Sequence, residues 1–227
     1  MRTIFILLAL LLIAPQPAAA QGGDRQEQEA SVVFWTFATC IVERNPDAVR
    51  KLLAKPNWQA EDQRLARSLA QRSVDRYPQR DGPCGFFESL GFNSELFRGT
   101  LAGAMFVRDT KGKYLPDFGA IQSPVTSAEL ASANDEATQM QLGLRAFSFC
   151  VFLNRPNDVR SLLVTRPFSQ AERTVFGSLA TTFGGCLPAK EGTRISFTRV
   201  RLRALLGEAA YYANSNLQSR TSTGTSH

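Results

Sequence analysis

The chain has 227 residues with 26 Lys or Arg and 20 Asp or Glu, which gives a formal net charge of +6 at pH 7. Its one histidine is the last residue, His227, and no C-x-x-C pair occurs among its four cysteines. The composition therefore excludes a zinc site, a Ser-His-Asp triad and a Cys-His pair, and the lack of P-loop, G-x-G-x-x-G, S-x-x-K and H-E-x-x-H motifs excludes most hydrolase and nucleotide-binding classes.

The N-terminus has the order of a secretory signal peptide. Arg2 precedes an apolar run from Ile4 to Ala14, and small residues follow up to Ala20. The apolar run is shorter than the roughly 20 residues that span a bilayer. We expect residues 1–20 to be a signal peptide cleaved after Ala20, and a periplasmic or secreted mature chain with no transmembrane span. A retained membrane anchor is the alternative.

Two segments of the chain are nearly the same. CIVERNPDAVRKLL, residues 40–53, and CVFLNRPNDVRSLL, residues 150–163, are identical at six of 14 positions, where unrelated segments share roughly one. The similarity continues from residues 55–70 to residues 166–180. Because the period of about 110 residues is longer than solenoid units, we predict a tandem duplication of one subdomain.

The first copy, residues 30–108, is predicted to contain four helices. Residues 30–44 are apolar nearly all round, which is typical of a buried helix. The Asn-Pro-Asp sequence then favours a helix start, and residues 45–53 place Val and two Leu on one face. The remaining helices are expected at 60–73 and at about 93–107.

The second copy, residues 129–214, repeats this order. Residues 109–128 are predicted to be a linker because glycines and prolines interrupt any long helix there, and its large apolar residues favour packing along the surface. Residues 215–227 have the composition of a disordered tail. The four helices of the second copy are expected near 135–153, 156–164, 169–182 and 198–213, so the fold class is all-α.

Each copy carries two cysteines, which in an exported chain favour disulfide bonds. One cysteine of each copy lies in its first helix and one follows its third helix. Duplication favours pairing within each copy over the other two connectivities. The predicted bonds join Cys40 to Cys84 and Cys150 to Cys186.

Arginines supply the candidate anion-binding residues. Arg50 and Arg160 occupy the same position in the two copies, and each is suited to hold a carboxylate or phosphate by paired hydrogen bonds. The alternative is a structural arginine that pairs with a nearby acid, Glu61 or Glu172. The helices also contain a G-x-x-x-G spacing at Gly99 and Gly103, which favours close packing of two helices.

A second group of candidate anion-binding arginines crowds the start of the last helix. Such a basic surface is suited to anionic lipid headgroups or to envelope polysaccharide. A solvated helix face is the alternative. Four charges are few for nucleic-acid binding at physiological salt, so no nucleic-acid partner is expected. The residues of this group are Arg194, Arg199, Arg201 and Arg203.

The order of cysteine, N-P or R-P, V-R-x-L-L, second cysteine, and a final helix ending in small residues and tyrosine resembles uncharacterised exported helical-repeat proteins of Gram-negative bacteria. The resemblance extends from about Phe34 to Tyr212. It implies a bacterial signal peptide and a periplasmic location, and it implies no catalytic residue.

We therefore expect an exported, non-catalytic helical module that binds an unknown protein partner, ligand or envelope component, with no cofactor and no metal. One alternative is a cell-wall glycan hydrolase, which requires a pair of carboxylates in a cleft. The only acids clearly matched between the copies are Glu61 and Glu172, whose place near a helix start favours a structural role. The other alternative is binding of the envelope surface through the basic last helix.

Overall fold

The computed structural model describes residues 19–54, 64, 94–187 and 197–223. These residues form eight α-helices and no strand, which confirms the all-α fold class for the described part of the chain. The helices are α1 (Ala19–Arg44), α2 (Pro46–Leu53), α3 (Ser94–Thr110), α4 (Ser127–Ser132), α5 (Glu136–Asn154), α6 (Pro156–Val164), α7 (Gln170–Cys186) and α8 (Arg199–Thr223). None of the described helices is long and apolar enough to cross a bilayer.

The two matched prolines each begin a helix directly after another helix ends. Asn45 separates α1 from α2, and Arg155 separates α5 from α6. These two residues have nearly the same backbone, with φ −134° and ψ 51° at Asn45 and φ −138° and ψ 53° at Arg155. Because proline has no N–H and disfavours helical backbone in the residue before it, it ends the first helix and starts the second.

The described helices enclose two apolar clusters. The first lies between α1, α2 and α3 and includes Phe37, Ile41 and Leu101. The second lies between α5, α6, α7 and α8, and it also takes in Phe106 from the last part of α3. Tyr211 of α8 packs against both clusters. The clusters are therefore joined through α3 and α8.

Helices α3 and α8 pack closely because glycines lie where they meet. A Cβ atom at Gly207 would come within 2.5 Å of the Gly99 carbonyl oxygen and 3.0 Å of the Gly103 Cα. A Cβ atom at Gly99 would lie 2.5 Å from the Ala204 carbonyl oxygen. The G-x-x-x-G spacing thus marks a close approach of two helices, as predicted.

One predicted disulfide bond is confirmed, because Cys150 is bonded to Cys186 with a Cα–Cα distance of 5.6 Å. Cys40 is also disulfide-bonded. Its predicted partner Cys84 lies outside the described residues. Since Cys150 and Cys186 are bonded to each other, neither is the partner of Cys40.

The segment 109–128, which was predicted to be a linker, buries Phe118 and Ile121. The Phe118 ring lies 4.9 Å from that of Phe152, measured between ring centroids. The short helix α4 at the end of this segment was not predicted. Its capping box is complete, because the Glu129 N–H donates to the Thr126 hydroxyl and the Glu129 carboxylate accepts from the Thr126 N–H.

The helix boundaries differ from the predictions at both ends of the chain. Helix α1 begins at Ala19 rather than Ala30, so it starts before the predicted cleavage position. Helix α8 runs to Thr223, into the predicted disordered tail 215–227. The helix continues because Leu217 packs against the second cluster and Arg220 donates to the Ala120 carbonyl at 3.2 Å. The rest of the predicted signal peptide 1–20 and the predicted helix 60–73, apart from Arg64, lie outside the described residues.

Candidate functional site

An open cleft of about 470 Å³ lies where the end of α3, the turn that follows it and helix α6 come together. Ligand sites in proteins are commonly concave and of about 300–1,000 Å³. The cleft combines apolar side chains with an excess of positive charge. It is lined by Val107, Thr110, Lys111, Gly112, Lys113, Tyr114, Arg160 and Val164.

The turn at the end of α3 places the basic residues of the cleft. The N–H of Lys111 donates to the Arg108 carbonyl at 3.3 Å, and the N–H of Lys113 donates to the Thr110 carbonyl at 3.1 Å. Gly112 between them has φ 70°, in the left-handed region that glycine adopts without strain. The two lysines therefore stand on either side of a glycine that reverses the chain.

Arg160 joins this turn to helix α6. Its Nη1 donates to the Lys113 carbonyl oxygen at 2.7 Å. This hydrogen bond holds the guanidinium beside the turn. The other N–H groups of Arg160 donate to no main-chain carbonyl of the described residues. A guanidinium held in this way is ordered before a ligand arrives, which lowers the entropy cost of binding.

Two large apolar side chains of the cleft are open to solvent. Tyr114 is fully exposed and Val164 is 53% exposed. Among the described residues, the other exposed large apolar side chains are those of Met140 and Leu187. Exposed apolar residues that gather at one place mark interaction surfaces more often than scattered ones do.

The basic residues of the cleft have no acidic partner within the described chain. No carboxylate there lies within 4.0 Å of a charged nitrogen of Lys111, Lys113 or Arg160. Lys113 instead donates to the Asp109 carbonyl oxygen at 2.7 Å. The cleft therefore presents a net positive charge that no described carboxylate neutralises.

Arg50, the arginine at the matching position of the similar sequence segment, lies in different surroundings. Its guanidinium is 2.8 Å from Asp109 and 3.2 Å from Asp47, measured from nitrogen to carboxylate oxygen. Arg50 thus pairs with nearby acids, although neither acid is Glu61, which lies outside the described residues. Both arginines contact the end of α3 or the turn after it, Arg50 through Asp109 and Arg160 through the Lys113 carbonyl, but only Arg160 lines the cleft.

The described arginines near the start of α8 differ in burial. Arg199 is exposed, Arg201 is half-buried and Arg203 is buried, while Arg194 lies outside the described residues. The Arg203 guanidinium points inward and bonds to Glu172, to the Thr165 hydroxyl and to the carbonyls of Leu163 and Thr165. Arg203 is therefore committed to the interior of the protein.

Glu172 is the acid that Arg203 holds, with a nitrogen–oxygen distance of 2.8 Å. The side chains are 2% and 8% exposed, for Glu172 and Arg203 respectively. Burial lowers the pKa of Arg203, and the attraction of Glu172 opposes that effect. The predicted place of Glu172 near a helix start is correct, and its N–H donates to the Ser169 hydroxyl at 3.1 Å. Its ion-pair partner is Arg203 and not Arg160.

A second polar group ties α3, α5 and α8 together around Glu208. One carboxylate oxygen lies 3.3 Å from the Arg98 Nε, and the other lies 4.0 Å from the Arg145 Nε. Burial raises the pKa of Glu208, while the two arginines oppose that effect. A carboxyl group with a raised pKa is a feature of general acids, but both oxygens here face arginines. We therefore assign Glu208 to the scaffold.

Sequence reasoning found Arg160 but missed Lys111, Lys113 and Tyr114. The segment T-K-G-K-Y carried a usable signal, since a glycine between two lysines beside an aromatic residue is typical of an exposed turn. The position of this turn beside α6 depends on contacts distant in sequence. A local sequence pattern does not predict which helix this turn contacts.

No group of three or more His, Cys, Asp or Glu side chains gathers in the described part of the chain in a way that fits a metal ion. Comparison of the chain with protein-family models, with curated proteins and with solved structures finds no significant match.

Proposed function

We propose that this protein is an exported, non-catalytic helical module that binds a partner through the cleft between the end of α3 and helix α6. The observation that carries the proposal is the pairing of a fully exposed Tyr114 and a half-exposed Val164 with three basic residues that have no described acidic partner. In the isolated chain, the apolar side chains of this surface face water and its basic groups have no ion-pair partner among the described residues. A partner that covers the apolar groups and supplies negative charge would satisfy it.

Export is part of the same proposal. The N-terminal sequence supports it through its signal-peptide order. The Cys150–Cys186 bond is compatible with it, because disulfide bonds persist in oxidising compartments. The periplasm and the cell exterior both meet this condition.

The two alternative functions have less support. A glycan hydrolase needs two carboxyl groups that face a cleft, whereas Glu172 is bound to Arg203 and Glu208 faces two arginines. The expectation of envelope binding through α8 was based on four arginines that are close together in sequence. Arg203 is not available to such a surface, because its guanidinium is buried.

Site-specific photocrosslinking in the native host tests the proposal. A benzophenone amino acid replaces Tyr114 in one variant of the full chain, and replaces the exposed Gln139 of α5 in a control variant. We expect a discrete crosslinked product from position 114 that is absent from position 139. Identical products from the two positions, or no product from position 114, would contradict the proposal.

A further inference from the structure

We infer that the occupant of the cleft is an acidic polypeptide segment, in which Asp or Glu side chains flank an apolar side chain. This inference rests on the proposed function and narrows it to one class of partner. The geometry that carries it is the placement of Lys111, Lys113 and Arg160 around the apolar surfaces of Val107, Tyr114 and Val164.

Carboxylates fit the charged groups of the cleft. Arg160 is fixed by its bond to the Lys113 carbonyl at 2.7 Å, and a guanidinium forms two parallel hydrogen bonds with one carboxylate. Lys111 and Lys113 stand on the neighbouring turn as separate positive charges. The site therefore offers negative groups one contact of defined direction, from Arg160, and two of less defined direction, from the lysines. This arrangement suits a peptide with acidic side chains spaced along it.

An apolar side chain fits the rest of the cleft. Val107 and Val164 supply aliphatic surface, and Tyr114, on the turn that borders the cleft, has a ring fully open to solvent and available to a bound chain. Covering such surface with a side chain removes it from water and favours association. A ligand with negative charge alone would leave this surface exposed, so the cleft favours a partner that combines both properties.

A membrane surface fits less well. Lipid binding by a soluble surface generally combines several inserted apolar side chains or an amphipathic helix with a cluster of four to eight basic residues. Here three basic residues surround a concave site, and one ring stands fully exposed. A concave site of about 470 Å³ accommodates a few side chains of a peptide.

Fluorescence anisotropy with synthetic peptides tests the inference. The probes are a labelled twelve-residue peptide that alternates Glu with Leu and Ser, a matched peptide with Gln in place of Glu, and a Glu and Ser peptide without Leu. Vesicles that contain phosphatidylglycerol form a separate arm. All measurements use the full mature chain at about 150 mM salt, where exposed charges more than about 8 Å apart are largely screened.

Arg160→Gln is compared with Arg50→Gln, which removes the same charge from the matching helix of the first copy. We expect the Glu and Leu peptide to bind at least tenfold more tightly than either matched peptide. We also expect Arg160→Gln and Tyr114→Ser each to weaken that binding at least tenfold, and Arg50→Gln to change it by less than twofold. Circular dichroism of each variant establishes that it is folded.

Equal weakening by Arg50→Gln and Arg160→Gln would overturn the inference, because the effect would then be one of net charge. Vesicle binding without peptide binding would overturn it in favour of a lipid. If none of the peptides binds but position 114 still crosslinks to a partner, the acidic-peptide inference fails and the proposed binding function stands. If position 114 crosslinks to nothing, the proposed function fails as well.

Discussion

The two matched arginines lie in similar local sequences and have different surroundings. Arg50 and Arg160 both lie in the helix that follows a proline, one residue after a buried valine. Arg50 pairs with Asp47 and Asp109, whereas Arg160 bonds to a main-chain carbonyl and faces a basic cleft. The arginine position is common to both halves, and its surroundings decide whether its charge is neutralised.

The acids that surround Arg50 are missing from the second half. When the halves are aligned on Pro46 and Pro156, Asn157 takes the place of Asp47. When they are aligned on Gly103 and Gly207, Ala213 takes the place of Asp109. Both changes remove a negative charge. They explain why the second arginine lacks the partners of the first.

The last helices of the two halves also differ, at the position of Arg203. The same alignment places Gly99 opposite Arg203. Gly99 permits close packing on Ala204, whereas Arg203 reaches inward to Glu172 and to the turn before α7. The second half therefore has a buried ion pair at a position where the first half has no side chain.

Removal of Arg203 is the strongest test of this difference. In Arg203→Met the Glu172 carboxylate stays buried without its countercharge, and such loss of one partner costs about 3–5 kcal/mol. Urea unfolding followed by circular dichroism measures the loss. Arg199→Met, at an exposed position on the same helix, is the control and should change the free energy of unfolding by less than about 0.5 kcal/mol.

The double variant Glu172→Gln/Arg203→Met sharpens this result. It removes both charges, so we expect it to be more stable than Arg203→Met alone. If Arg203→Met costs no more than Arg199→Met, the buried pair does not stabilise the second half.

The close packing of α3 on α8 is tested by Gly207→Ala. The added Cβ would lie 2.5 Å from the Gly99 carbonyl oxygen, which belongs to helix backbone and does not move easily. We expect a loss of about 1–3 kcal/mol in the free energy of unfolding, as for other overpacked sites. The same urea titration measures it.

Gly177→Ala is the matched control for this substitution. Gly177 lies in α7, and a Cβ there would have no neighbour within 4 Å. We expect a gain of about 0.5–1 kcal/mol, because alanine favours helix over glycine. If both substitutions stabilise the protein, the two helices are not held together by the glycines.

Local sequence signals predicted much of the fold and little of the cleft. The prolines at 46 and 156 fixed two helix starts, and the spacing of Gly99 and Gly103 indicated a close helix contact. The capping box of α4 was also present in the sequence as T-S-A-E and was missed. These features depend on residues a few positions apart, so a sequence can reveal them.

The ion pairs could not be assigned in the same way. Glu172 was expected to pair with Arg160 or to serve only its helix start, and its partner is Arg203, from a helix later in the chain. The cleft likewise depends on a turn after α3 that contacts α6. Which residues pair across the fold depends on which helices pack against each other. The apolar periodicity of a single helix does not indicate its neighbours.

The smallest predicted effect separates the two arginines directly. Arg50→Gln removes the contacts to Asp47 and Asp109 from a side chain that is 43% exposed. Because partly exposed ion pairs contribute little, we expect a loss of about 0.5–1 kcal/mol, decreasing as salt is raised. Arg160→Gln removes no described ion pair and one exposed hydrogen bond to the Lys113 carbonyl, so any loss in its free energy of unfolding should be nearly independent of salt. Urea titrations of both variants at low and high salt measure the difference. The same salt-dependent loss at both positions would mean that the two arginines have the same structural role, and would remove the reason for assigning Arg160 to binding.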